Sequence, residues 1–349
     1  MHTSAPTAAT GVGLACIFAS LTRPAGLNTV RPAARRAPPK TPPSMPAAAP
    51  QALNRTLVGI LFMLAASSLF PVMNGLVQVL SARYSSEQLV WARTASHLVF
   101  ILALFGPRLG LAVVRSTQLR WQIVRSAVHL GSMLCFFNGV KYLELAKASS
   151  ISFTAPFIVA LLAWPILGER MRLGRLAAVA VAFLGVLVVI RPGSEVFQWA
   201  SLLILASSAC YALYQVFTRL VAGHDLPETS AVYSAVVGTL VMTLVLPFVW
   251  ITPPSWTDAA LLFSLGIIGG LGHYCVARAM TCAQANILAP FGYWQMVGAV
   301  IVGYLISGLL PDAATWAGTA IITCAGLYIA WSETRVRSPA VAAPQSQRG

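Results

Sequence analysis

Arg93 and His97 stand four residues apart in an apolar stretch, so on a helix they share one face. A guanidinium in such a stretch can hold a carboxylate or phosphate through two parallel hydrogen bonds. It can also reach toward the interface or pair with nearby Glu87, and the residues alone leave both uses open. His129 and His273 are also imidazoles in apolar surroundings. With no Asp or Glu in the middle of any stretch, His97, His129 and His273 are the candidates for proton coupling. Asn74, Asn138, Tyr211 and Tyr214 add hydrogen-bonding groups, and Tyr293 and Trp294 add rings that can stack on a flat ligand. Pro156 and Pro290 each remove a backbone donor, which can break a helix and expose carbonyls to a ligand. No His-Glu-x-x-His or Gly-x-x-x-x-Gly-Lys pattern occurs, so neither an embedded metalloenzyme nor an ATP-driven pump is expected, and no catalytic residue is assigned.

The elements that position these groups must be membrane helices. Hydrophobic residues make up 57% of the 349 positions and charged residues 9%, against about a quarter charged in a soluble domain. Too few charges remain to cover water-facing helices. The net charge of +14 accompanies no basic stripe interleaved with aromatics, so nucleic acid is excluded as a partner; Lys and Arg gather at the ends of apolar runs. The six cysteines form no C-x-x-C pair, and neither a disulfide framework, a metal site nor a cofactor is expected.

Residues 1–52, rich in Ala, Pro and Arg and free of acids, cannot bury a core and read as a disordered tail. The run Gly11 to Ser20 lacks the basic flank and the length of a signal or a span, and whether residues 1–44 belong to the native chain stays open. From Thr56 onward, ten stretches of roughly 18 to 24 apolar residues each suffice to cross about 30 Å of hydrocarbon. Lys and Arg favour cytoplasmic loops. Arg108, Arg115 and Arg120, then Arg170, Arg172 and Arg175, then Arg335 and Arg337 fall on one side with the N-terminal arginines, so both termini are expected in the cytoplasm.

Ala66-Ser67-Ser68 in the first span recurs as Ala206-Ser207-Ser208 in the sixth, and Ala155-Pro156-Phe157 in the fourth as Ala289-Pro290-Phe291 in the ninth. The offsets, 207−67 = 140 and 290−156 = 134, fit two five-helix units, 53–193 and 198–332, followed by a tail at 333–349. Five is odd, so the second unit enters the membrane from the opposite face. The three cations after the fourth span and the lone Asp312 after the ninth agree with that inversion.

The stretch Ala148 to Phe157, the Leu167-Gly168-Glu169-Arg170 turn and the small-residue helix from Gly174 to Gly193 resemble the EamA branch of the drug/metabolite transporter superfamily. The resemblance covers about residues 56–331 and implies an all-α integral membrane protein of ten helices in two inverted repeats, set in a bacterial inner membrane. It implies secondary transport of a small organic metabolite, an amino acid or its derivative, or alternatively a vitamin or nucleoside-like compound such as riboflavin or S-adenosylmethionine. Alternating access around a midplane site walled by Asn74, Arg93, His97, Asn138, Pro156, Tyr211, Tyr214, His273, Pro290, Tyr293 and Trp294 is the expected mechanism. Glu169 and Arg170 read as a gating or structural ion pair. Lipid and a small metabolite are the expected partners. Protons as coupling ion and a homodimer are left open.

Overall fold

A computed structural model describes residues 49–110, 114–168, 173–193, 198–221, 224–225 and 227–337. The proposed N-terminal tail through residue 48, the Glu169–Arg170 pair and the last twelve residues lie outside the described residues. The described chain is helical: α1 (Ala49–Leu80), α2 (Ser86–Leu109), α3 (Leu119–Val140), α4 (Leu145–Ser152), α5 (Ala155–Leu167) and α6 (Leu173–Ile190) precede residue 193. Then follow α7 (Ala200–Val221), α8 (Pro227–Val249), α9 (Trp256–Cys282), α10 (Ala285–Gly292), α11 (Trp294–Ser307) and α12 (Ala313–Arg337). Ten membrane-length apolar spans result, because α4 with α5, and α10 with α11, each make one interrupted crossing.

The interruptions follow from local chemistry. After α4 the chain turns through Phe153 and Thr154, the Thr154 hydroxyl donates to the Ile151 carbonyl at 2.6 Å, and Pro156 starts α5 without a backbone donor to satisfy. In the ninth span the turn falls at Tyr293, three residues after Pro290. Both spans end alike, with Gly168 and Gly308 at φ 70°, a left-handed cap that glycine adopts without a Cβ clash. Their separation, 308−168 = 140, matches the serine offset.

Helix neighbours obey the same exchange of halves. The α1–α9 packing is mirrored by α7–α3, α2–α9 by α8–α3, and α1–α11 by α7–α5, while α2–α8 and α6–α12 map onto themselves. The repeated Ala-Ser-Ser motif takes part. Ser67 of α1 donates to the Phe291 carbonyl of the broken ninth span at 3.2 Å. Ser208 of α7 donates to the Ile204 carbonyl of its own helix at 2.9 Å and lies 3.4 Å from the Ile151 carbonyl of the broken fourth span.

Apolar side chains gain little by leaving lipid for one another, so close backbone approach drives association. At Gly266 of α9 a Cβ would sit 2.4 Å from the Arg93 carbonyl and 2.3 Å from the His97 nitrogen, which is how α9 lies against the turn of α2 carrying both residues. At Gly318 of α12 it would meet the Gly185 carbonyl of α6 at 2.6 Å. Gly131 of α3 has nothing within 4 Å. Gly266→Ala is expected to cost about 1–3 kcal/mol through forced helix separation, read as a lower apparent melting temperature in detergent. Gly131→Ala should leave it unchanged or raise it, since Ala favours helix by up to about 1 kcal/mol.

Candidate functional site

Two neighbouring cavities lie within the bundle. The larger, of about 300 Å³, lies toward the Arg83 end and is walled by Phe70, Met73 and Asn74 of α1, Ser132, Phe136 and Phe137 of α3, Phe153 and Pro156 at the fourth-span break, and Gln295 of α11. That volume falls at the lower end of the range of small-molecule sites. The smaller, of about 60 Å³, lies toward the Asp225 end between α2, α3, α7, α8 and α9. Arg93, His129, Met133, Tyr211 and His273 border both cavities and form the partition between them.

Rings organise that partition. His129 stacks on Tyr214 with centroids 4.3 Å apart, Tyr211 lies 5.7 Å from Tyr214, His97 stacks on His273 at 6.1 Å, and Phe70 meets His273 edge-on at 5.1 Å. His129 and His273 occupy the third helix of each repeat, 273−129 = 144 residues apart, so the repeat supplies one imidazole from each half.

Arg93 is 8% exposed. It neither reaches the interface nor pairs with Glu87: its guanidinium lies 6.0 Å from the Phe137 ring centroid and against the Met133 sulfur, a weak acceptor, and its Nε has no partner. Arg125, not among the residues singled out from sequence, is 1% exposed and faces the smaller cavity. It repeats on α3 the spacing of Arg93 and His97, four residues before His129, and that Arg-x-x-x-His pattern was the signal that could have found it. Arg93 is therefore not the lone buried cation within the spans.

Arg125 is fully engaged. It donates to Gln122 Oε1 at 3.0 and 3.2 Å, to Thr218 Oγ1 at 3.3 Å and to the Ser230 carbonyl, and it lies 5.0 Å from the Tyr214 ring centroid. Gln122 donates onward to Asp225 Oδ2 and Ser230 Oγ, both at 2.9 Å. Asp225 also accepts from Ser116 and, at 2.7 and 2.8 Å, from the Thr117 backbone and hydroxyl. This network closes the narrow end by tying the α7–α8 turn to the start of α3. At the opposite end, the exchange of halves relates it to the Arg83–Asp258 ion pair at 2.6 Å, which joins the end of α1 to the start of α9. Arg191 and Asp312 pair there too.

Of the residues singled out from sequence, Asn74, Arg93, Pro156, Tyr211 and His273 meet at the larger cavity, and His97 and Tyr214 at the smaller. Asn138 lines neither and donates to the Leu134 carbonyl at 2.9 Å, a bond within its own helix. Pro290 and Tyr293 line neither; the Tyr293 ring stacks on Phe153 at 5.3 Å. Trp294 is 43% exposed on the outer surface, its Nε1 donating to Ser68 Oγ at 3.1 Å, which suits a lipid-facing ring. Among the described residues no cluster of His, Cys, Asp or Glu has metal-binding geometry.

A fold of two exchanged five-helix halves around stacked cavities defines a polytopic transporter, and the chain belongs to the EamA-like transporter family, which matches residues 57–191 and again 198–331. It is similar to a riboflavin transporter of Rhizobium johnstonii, 28% identical over 82% of this chain and 96% of that one. The pseudopaline exporter CntI of Pseudomonas aeruginosa is 30% identical, over 79% of this chain and 96% of that one. An S-adenosylmethionine uptake transporter of Rickettsia prowazekii is 27% identical over 82% and 97%. A crystal structure 18% identical superposes with a TM-score of 0.54, over 82% of this chain and 99% of the other, and shows the same fold. The chain is thus a multi-pass membrane transporter of small metabolites and not an enzyme.

Burial raises the Asp225 carboxyl, but the hydrogen bonds from Gln122, Ser116 and Thr117 outweigh it and hold it down to about 2. An acid depressed from about 3.9 stabilises the fold above that value and loses the contribution as pH falls toward 2. Asp225→Asn should melt below the wild type at pH 6, and the gap should close between about pH 4 and pH 2. A gap that persists at the acid end would show that the carboxylate charge does not carry the network.

Proposed function

We propose that this protein is a secondary carrier working by alternating access, which moves a small organic metabolite, an amino acid or amino-acid derivative, across a bacterial inner membrane. The observation that carries this reading is the pair of cavities divided by a partition of Arg93, His129, Tyr211 and His273. A cargo-sized space on one side and a nearly closed one on the other correspond to one of the two states an inverted repeat can adopt. Exchanging the roles of the halves would loosen the Asp225 network, tighten the Arg83–Asp258 end and pass the partition residues to the opposite side. The cations of the α2–α3 connection support a reading in which the Asp225 end and both termini face the cytoplasm. A second reading, uptake of a vitamin or nucleoside-like compound, draws support from the named activities of the riboflavin and S-adenosylmethionine relatives.

Purified protein in proteoliposomes should show saturable uptake of at least one compound from a panel of labelled amino acids, riboflavin and S-adenosylmethionine. An imposed pH gradient that enhances uptake assigns protons as coupling ion, with His97, His129 and His273 as the groups involved. Stimulation only by preloaded substrate assigns exchange. In a background without the native cysteines, a single cysteine at Asn74 should react from the Arg83 face in the resting protein while one at Tyr214 is protected, and both should change their accessibility when substrate is added. Labelling from one fixed face, whatever ligand is present, would overturn alternating access.

A further inference from the structure

Resting on the carrier reading, we infer that the cargo is a net anion whose carboxylate or phosphate group is held by Arg93 in the larger cavity. The two buried arginines differ in one respect. Arg125 is linked to a carboxylate through Gln122, which accepts from the guanidinium and donates to Asp225. Arg93 has no such path. It forms no ion pair with a described residue, its Nε is without an acceptor, and its other contacts are a thioether and a phenyl ring. A guanidinium stays protonated under all relevant conditions, so a charge in this place is costly until an anion arrives.

The cavity is built to take that anion together with an organic body. No acidic side chain lines either cavity. Phe70, Phe136, Phe137 and Phe153 supply an apolar wall. Asn74 and Gln295, which form no hydrogen bond with a described residue, present free amides at its surface. A cation entering this space would meet the Arg93 guanidinium and no carboxylate, so a compound bearing a net positive charge is rejected and one with surplus acid is favoured. The partnerless Arg93 thus sets the sign of the cargo's charge.

The test uses the full chain purified in detergent and four probes of similar size: 3-phenylpropionate, phenyl phosphate, 3-phenylpropanamide and phenethylamine. Binding is read from the concentration dependence of the apparent melting temperature. At least one acid should bind about tenfold tighter than the amide, the amine should bind no better than the amide, and the better acid names the group. Arg93→Met should abolish the preference for acid, and without probe it should melt at or above the wild type, because a buried charge with no partner has been removed. Arg93→Lys, keeping the charge without the fork, should retain part of the preference.

Equal binding of acid and amide, no binding of either acid, or an acid preference that survives Arg93→Met would each overturn the inference. So would a probe-free Arg93→Met protein that melts well below wild type, since the guanidinium would then be satisfied in the empty carrier. Flux in proteoliposomes separates this from the carrier reading. Saturable uptake of a neutral or cationic compound, unchanged by Arg93→Met, defeats the anion assignment and leaves the carrier standing; acid binding without saturable flux of any compound does the reverse.

Discussion

Hydrocarbon cannot solvate a charge or an open backbone group, and in this protein that constraint sorts the polar residues into places. Arg83, Arg191 and Asp312 sit beyond the ends of the spans and Asp258 in the first turn of one, and they form the pairs Arg83–Asp258 and Arg191–Asp312 there. Inside the spans, most serine and threonine hydroxyls close onto a carbonyl three or four residues back, as Ser150 and Ser152 do. What is left must face a cavity. Arg93, the three imidazoles, Asn74 and Gln295 gather there because no other part of the bundle can accommodate them.

The interrupted fourth and ninth spans show the same constraint met by symmetry. Local donors cover the carbonyls at each broken crossing, as Thr154 does for Ile151, and a serine of the duplicated Ala-Ser-Ser motif in the other half approaches the same carbonyl. The contacts farther out are different in kind. A carboxylate hydrogen-bond network closes one end and guanidinium–carboxylate pairs the other, and polar contacts facing water can break and reform at low cost because water replaces what is lost.

Small residues make the partition possible. Without the close approach at Gly266, α9 would stand away from α2, and His273 would not stack on His97. The precision of the polar centre therefore rests on a residue with no side chain, placed one helix away from the arginine it positions.

Ten spans, their duplication and the inversion of the halves were all legible in the amino-acid order, because hydrophobic length and charge at loop ends are local properties that the bilayer reads directly. Arg93, His97, Tyr211 and Tyr214 were legible as candidates for the same reason: polarity inside an apolar run stands out. Which of the candidates meet was not. Asn138 bonds within its own helix and Trp294 turns outward, although each looked as suitable as Asn74 or Tyr211, since helix rotation about its axis is set by neighbours far away in sequence. Arg125 was hidden by the opposite effect, its place near a basic loop masking a burial produced by α7 and α8. The sequence determined what crosses the membrane and how often; only tertiary packing decided which guanidinium is engaged in hydrogen bonds and which has its Nε without an acceptor, because that depends on acceptors more than ninety residues away along the chain.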